Sequence, residues 1–224
     1  MSHPSLTETT IRYLFATSWL PCDPEEQLVR VPGGQTTGVD TGGNLLHIAM
    51  WNLRQQGLME FEQRRPVEVE RVTVLGGQSF SRFGLLHGAP KLSGLEGALL
   101  EAARKVEGRE GWVAEAIDRV TDEDDHGVRL LVRALDLDNR SPWGTVCGHC
   151  FAEASAAGLV ELKGRLFRKI VISDPAAVES LREQNDELRA ARGAYLEAEP
   201  ELTSAVISDC LNVVLRSYSP SLGD

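Results

Sequence analysis

The segment PWGTVCGHCF, Pro142 to Phe151, carries two thiols, Cys147 and Cys150, on either side of a Gly-His pair. A Cys-x-x-Cys pair at a helix start can do thiol–disulfide exchange, because the helix N-terminus favours the thiolate. That chemistry also needs a buried strand ending right before the motif, an aromatic residue beside the first cysteine, and a downstream proline facing the dithiol. Here Trp143 stands four positions before Cys147, Asp138 to Pro142 is polar, and the segment that follows reads as helix and hairpin. Core filling is the better account of both sulfurs, since a free cysteine behaves as a small hydrophobe. Dithiol redox chemistry stays as the last alternative.

Metal ligation fares no better. Cys147, His149 and Cys150 are adjacent in sequence, but a structural zinc site draws four ligands, typically from two such clusters. Cys22, Cys210, His3, His47, His87 and His126 are scattered along the chain. The acidic run Asp122 to Asp125 lacks the spacing of a calcium loop and reads as a solvated helix end. No phosphate-loop, dinucleotide or nucleophile-elbow pattern occurs. The expectation is therefore no metal, no cofactor, no catalytic residue and no enzymatic activity.

One short segment does suggest a contact. Lys163-Gly164-Arg165-Leu166-Phe167-Arg168-Lys169 packs four cations into seven residues without an acid. Cations flanking two apolar residues suit a shallow membrane contact. Each cation near an anionic surface is worth about 1 kcal/mol, and Leu166 and Phe167 gain by burial at the acyl boundary. The same residues also fit an ordinary wing whose Leu and Phe turn inward while the cations snorkel outward. Gln63-Arg64-Arg65-Pro66, crowded by Glu62, Glu68 and Glu70, makes a weaker candidate.

The elements that position these residues follow from periodicity. Residues 11–20 are apolar enough for a buried helix or strand, and Pro21 to Gly43 reads as loops. In NLLHIAMWNLRQQGL, Leu46, Ala49, Met50 and Leu53 make one apolar helical face, closed by Gly57. Residues 59–75 suggest a hairpin, and Ser93 with Glu96 a capping box opening the helix SGLEGALLEAARKV. GWVAEAIDRV and VRLLVRALDL read as further helices. After a PWGT break comes the cysteine helix, then a hairpin in LVELKGRLFRKIVIS. Asp174-Pro175 opens a long charged helix ending near Glu199, and Pro200 opens the last. LLHIAMWNLRQQGLMEF and VCGHCFAEASAAGLVEL align without gaps on Gly57 and Gly158. The two units, near 44–75 and 145–173, each read helix, Gly-Leu-x-Glu, hairpin, which is winged-helix-like. The register sets Cys147, Cys150, Phe151 and Ala154 opposite Leu46, Ala49, Met50 and Leu53, on the buried stripe.

The fold class expected is mostly α with small β-hairpins, residues 1–224 forming one compact helical domain that contains the two winged-helix-like repeats. Ordinary composition and 224 residues fit that size. No run reaches the roughly 18 apolar residues of a membrane span. The first residues, with Arg12 inside the apolar segment, do not read as a signal peptide. A cytoplasmic protein with reduced thiols is expected, with peripheral membrane association open to it. A net charge of −10 repels phosphate backbones. Nucleic acid is accordingly a poor partner, whereas an anionic membrane met through a local basic patch, a protein partner, or a second copy are all compatible.

The order of segments resembles the Golgi phosphoprotein 3-like family over about residues 11 to 215. The features concerned are LLHIAMWNLRQQGLMEF, SGLEGALLEAARKV, the Trp-containing GWVAEAIDRV, CFAEASAAGLVELKGRLFRKIVISDP and EPELTSAVISDCLNVV. The resemblance implies a mostly helical domain acting as a peripheral-membrane adaptor without catalysis, its apolar hairpin tip mapping onto Leu166 and Phe167. Family members that bind phosphoinositides use a Trp and Arg before the first helix and Arg before the second. Here those regions read Thr41-Gly42-Gly43-Asn44 and Gly144-Thr145-Val146-Cys147, without a cation. A winged-helix regulator binding a protein partner or DNA is the runner-up, though CGHCFAEASAAG offers no Arg or Lys to read bases.

Overall fold

The computed structural model describes residues 6–16, 38–65, 68–74, 92–107, 135, 142–163 and 169–216. The hairpin tip 164–168, residues 21–37 of the expected Pro21 to Gly43 loops, the Trp-containing helix, the acidic run and all of VRLLVRALDL but Leu135 lie outside these residues. Among the described residues the protein is mostly helical, with two antiparallel hairpins. The order is α1 (Glu8–Ala16), α2 (Gly38–Gln55), β1 (Met59–Arg65), β2 (Glu68–Val74), α3 (Gly94–Glu107) and α4 (Pro142–Ala156). Then follow β3 (Val160–Lys163), β4 (Lys169–Ile172), α5 (Pro175–Ser180), α6 (Arg182–Ala198) and α7 (Pro200–Arg216).

Helix α2 is the centre. Leu45, Leu46, Ala49, Met50 and Leu53 are fully buried, as the helical spacing of these residues requires. It packs against α1, α3, α4 and α7, and Cys210 of α7 places its Sγ 3.7 Å from Met50 Sδ. The helix starts at Gly38, several residues earlier than its apolar stripe, despite the poor helix propensity of Gly42 and Gly43. Packing overrides propensity there. A Cβ on Gly43 would lie 2.6 Å from Leu211 Cδ2, so the missing side chain lets α2 and α7 approach closely.

Both helix–glycine–hairpin units close in the same way. Gly57 has φ 67° and Gly158 φ 76°, conformations that glycine adopts without strain. The Gly57 and Leu58 amides donate to Arg54 and Leu53 carbonyls at 2.9 Å each; Gly158 and Leu159 donate to Ser155 and Ala154 at 2.9 and 3.0 Å. This pair of bonds satisfies the last helical carbonyls and turns the chain directly into β1 or β3. The sequence alignment on the two glycines is thus a repeat of local geometry. The first hairpin is tied to α7 by the Val69 amide, which donates to Asp209 Oδ2 at 2.7 Å.

Two expectations change at helix starts. Ser93 and Glu96 do not form a capping box. Glu96 is 2% exposed, and its Oε1 accepts from the Thr9 amide at 3.1 Å, the Thr9 hydroxyl, and Asn52 Nδ2 at 3.1 Å. Glu153 of α4 accepts from the Thr7 amide at 3.2 Å, the Thr7 hydroxyl at 2.6 Å, and the Ser93 hydroxyl. The start of α1 is buried, so its unpaired amides and positive dipole end draw carboxylates from two neighbouring helices. The PWGT segment, expected as a break, is instead the first turn of α4, with Pro142 where a proline costs no hydrogen bond. Asp174 caps α5 as expected, its Oδ1 accepting from Ala177 N at 2.9 Å, but the charged helix divides at Leu181.

Candidate functional site

Three places bear on function: the second hairpin, the cysteine pair and a pocket beside α2. In the hairpin, β3 and β4 pair from Val160↔Ile172 to Lys163↔Lys169. The register sets the two lysine positions at its mouth, where Arg165, Leu166, Phe167 and Arg168 begin and end outside the described residues. Val160 and Ile170 face the core, whereas Leu162 is 39% exposed and Lys163 lies in solvent. Lys163 Nζ pairs with Glu161 Oε1 at 2.7 Å, with both groups well exposed. Exposed pairs of this kind contribute roughly 0–1 kcal/mol and are readily exchanged for another anion.

Helix α4 presents its two cysteines inward. Cys150 is fully buried and Cys147 nearly so, while Ala154 completes the stripe and Phe151 is half-buried. Burial, with the nearby Glu96 carboxylate next in effect, pushes the Cys150 thiol well up, although a hydrogen bond with Thr10 opposes this. A thiol held neutral in an apolar wall is a poor nucleophile. Burial also lowers the half-exposed His149 imidazole.

Sequence reasoning missed the pocket. It is a small hollow between α1, α2 and α6, partly open to solvent. Arg12, His47, Trp51, Arg192 and Tyr195 line it together with Glu8, Asn52 and the apolar Ile48, Leu188 and Ala191. His47 is 2% exposed, and neither ring nitrogen has a hydrogen-bond partner among the described residues. Trp51 Nε1, Arg12 Nε and Arg192 Nε are likewise buried without one. The Trp51 ring stacks on Tyr195 at 5.8 Å with planes 8° apart, and His47 meets it edge-on at 6.2 Å. Arg12 Nη1 donates to Asn185 Oδ1 at 2.7 Å, and Arg192 Nη2 to Asn44 Oδ1 at 3.2 Å. Among the described residues, side-chain amide oxygens are what accept from the two guanidiniums.

The electrostatics follow from that. Burial lowers the pKa of Arg12, and repulsion from Arg192 and Arg189 adds to this while Asp186 opposes it. Arg192 is also lowered by burial. His47 is pushed down to about 3 by burial and then by Arg192, so it is a neutral imidazole. Glu8 is raised by burial and by Glu96, and Tyr195 by burial and by Glu8. The signal lay in Arg12 interrupting an apolar segment and in His47 and Trp51, one helical turn apart, on an otherwise apolar helix. Arg192 gave none, because its helix reads as solvent-facing throughout. Among the described residues no group of three or more His, Cys, Asp or Glu could hold a metal ion, and no helix is long and apolar enough to cross a membrane. Compared with models of protein families, with curated proteins and with solved structures, the chain matches none.

Proposed function

We propose that this is a non-enzymatic peripheral-membrane or adaptor protein whose second hairpin, from Lys163 to Lys169, contacts an anionic lipid surface. In this reading the two helix–glycine–hairpin units are winged-helix-like, and the second offers its wing to the membrane. The supporting observation is the β3–β4 base. It opens outward with Leu162 and Lys163 in solvent, and the register delivers Lys163 and Lys169 to the two sides of the Arg165-Leu166-Phe167-Arg168 tip. Leu162 is one of two large apolar side chains exposed among the described residues, and it adjoins the basic, apolar segment in sequence. The order of elements resembling the Golgi phosphoprotein 3-like family supports the same reading. The buried, neutral Cys150 speaks against dithiol chemistry.

Flotation with liposomes tests the proposal. Vesicles containing anionic lipid should carry the protein upward, neutral vesicles should not, and Phe167→Asp should abolish recovery. Equal recovery with both vesicle types, or an unaffected Phe167→Asp variant, would sink it.

A further inference from the structure

Helix α6 lies over the side of α1 and α2 that carries Arg12, His47 and Trp51, yet little apolar burial attaches it. Its only buried side chain is Asn185, while Leu188 is half-buried and Leu196 is 39% exposed. The helices on either side are anchored in the core. α5 buries Ala177 and Val178, and α7 buries Ala205, Val206, Cys210 and Val213. Polar and ring contacts hold α6 instead. Arg12 donates to Asn185, Arg192 to Asn44, Tyr195 stacks on Trp51, and the Arg182 guanidinium sits 5.4 Å from the Phe15 ring. At the far end Arg54 donates to both oxygens of the exposed Glu199 at 2.8 and 3.1 Å, a pair that solvent weakens.

The interface beneath is imperfectly satisfied. Arg12 Nε, Arg192 Nε, Trp51 Nε1 and both His47 nitrogens are buried without a hydrogen-bond partner among the described residues. Groups in that state regain water when an interface opens, which lowers the cost of opening it. The helix is also weak in itself. No side chain caps its start at Leu181, and Gly193 interrupts its second half. Glycine is the poorest helix former after proline. At Gly43 a close approach by Leu211 calls for it, but among the described residues nothing lies within 4 Å of a Cβ added to Gly193.

We propose that α6 is a releasable strap: between Leu181 and Glu199 it comes away from α1 and α2 while α5, α7 and the core stay folded. Its release uncovers Phe15, Arg12, His47 and Trp51, an aromatic and cationic face that the closed strap keeps from solvent. The chain length permits this. The 17 residues of α6 span about 26 Å as a helix and about twice that when extended, so neither end has to move. A helix of this length is marginal in water once freed from its neighbours, so release and unwinding go together. The strap is separate from the hairpin contact, and the two readings stand or fall independently.

Hydrogen exchange of the folded full chain, followed by mass spectrometry of its peptides, tests the strap. Amides of residues 185–197 should exchange through an opening at least about a hundredfold more populated than the one that exposes 45–53 and 205–213. Gly193→Ala should slow exchange in α6 about fivefold. Asn185→Ala, which takes the acceptor from Arg12 Nη1, should speed it about fivefold. Neither substitution should change exchange in 45–53 or 205–213. Gly193→Ala strengthens the helix, so its result stands even where Asn185→Ala does not fold. Exchange of 185–197 at the rate of 45–53, α7 opening together with α6, or Gly193→Ala slowing α2 as much as α6 would overturn the proposal.

Discussion

At the scale of single residues, buried polar groups account for more than the cysteines that attract the eye. His47 gives a pH prediction whose sign is fixed. Its folded pKa of about 3 lies below the ordinary 6.5, so its contribution to stability is complete above pH 6.5 and is lost as pH falls. The slope is at most about 1.4 kcal/mol per pH unit for one proton taken up on unfolding. His149, also lowered, acts in the same direction, whereas Glu8, which is raised, gains as pH falls through its own range. Urea unfolding between pH 7 and 5.5 should show stability falling, and His47→Leu should flatten that dependence while leaving the His149 share. A variant as pH-sensitive as the wild type would contradict the buried neutral imidazole. Glu96 makes a second case. Removing its side chain strands the Thr9 amide, the Thr9 hydroxyl and the Asn52 amide, so Glu96→Ala should cost about 3 kcal/mol. Glu153→Ala, at a half-buried position, should cost about 1 kcal/mol. Equal losses in urea titrations would mean that burial does not set the difference.

At the scale of elements, local rules carried the sequence reading wherever the determining chemistry is local. The apolar spacing through Leu46 and Leu53, the stops at Gly57 and Gly158, both hairpins and the Asp174 cap were all legible, because each depends on residues a few positions apart. Helix boundaries were not legible where a distant element decides them. Gly43 is helical because Leu211 needs the space, and Glu96 leaves its own helix start to serve α1. The local rules also give magnitudes. Asp174→Ala removes the bond to Ala177 and should cost about 1 kcal/mol, which thermal unfolding would register as a lower midpoint. Gly158→Ala meets no steric obstacle, since nothing lies within 4 Å of an added Cβ. Its cost should be the left-handed φ alone, about 1 kcal/mol. A much larger loss would show that the turn does more than end α4.

At the scale of the whole molecule, the hairpin was legible as a basic run in one stretch of sequence, whereas the pocket draws single residues from three helices and left no local pattern. Charge joins the two, because both concentrate cations on a chain of net charge −10. That background makes the proposed membrane contact depend on salt in a way a uniformly basic protein would not. At about 0.01 M ionic strength the Debye length is roughly 30 Å, so the acidic body is felt by an anionic surface and repelled. At about 0.1 M it is roughly 10 Å, and only the nearest charges count, which for a docked hairpin are Lys163, Arg165, Arg168 and Lys169. At about 1 M even these are screened within roughly 3 Å. Flotation with anionic vesicles should therefore pass through a maximum near intermediate salt. Replacing Lys163 and Lys169 with alanine should lower that maximum without removing the recovery from low-salt repulsion. Recovery rising steadily to high salt would mean that Leu166 and Phe167 bind without the cations. Recovery falling steadily from the lowest salt would mean that the acidic body never faces the membrane.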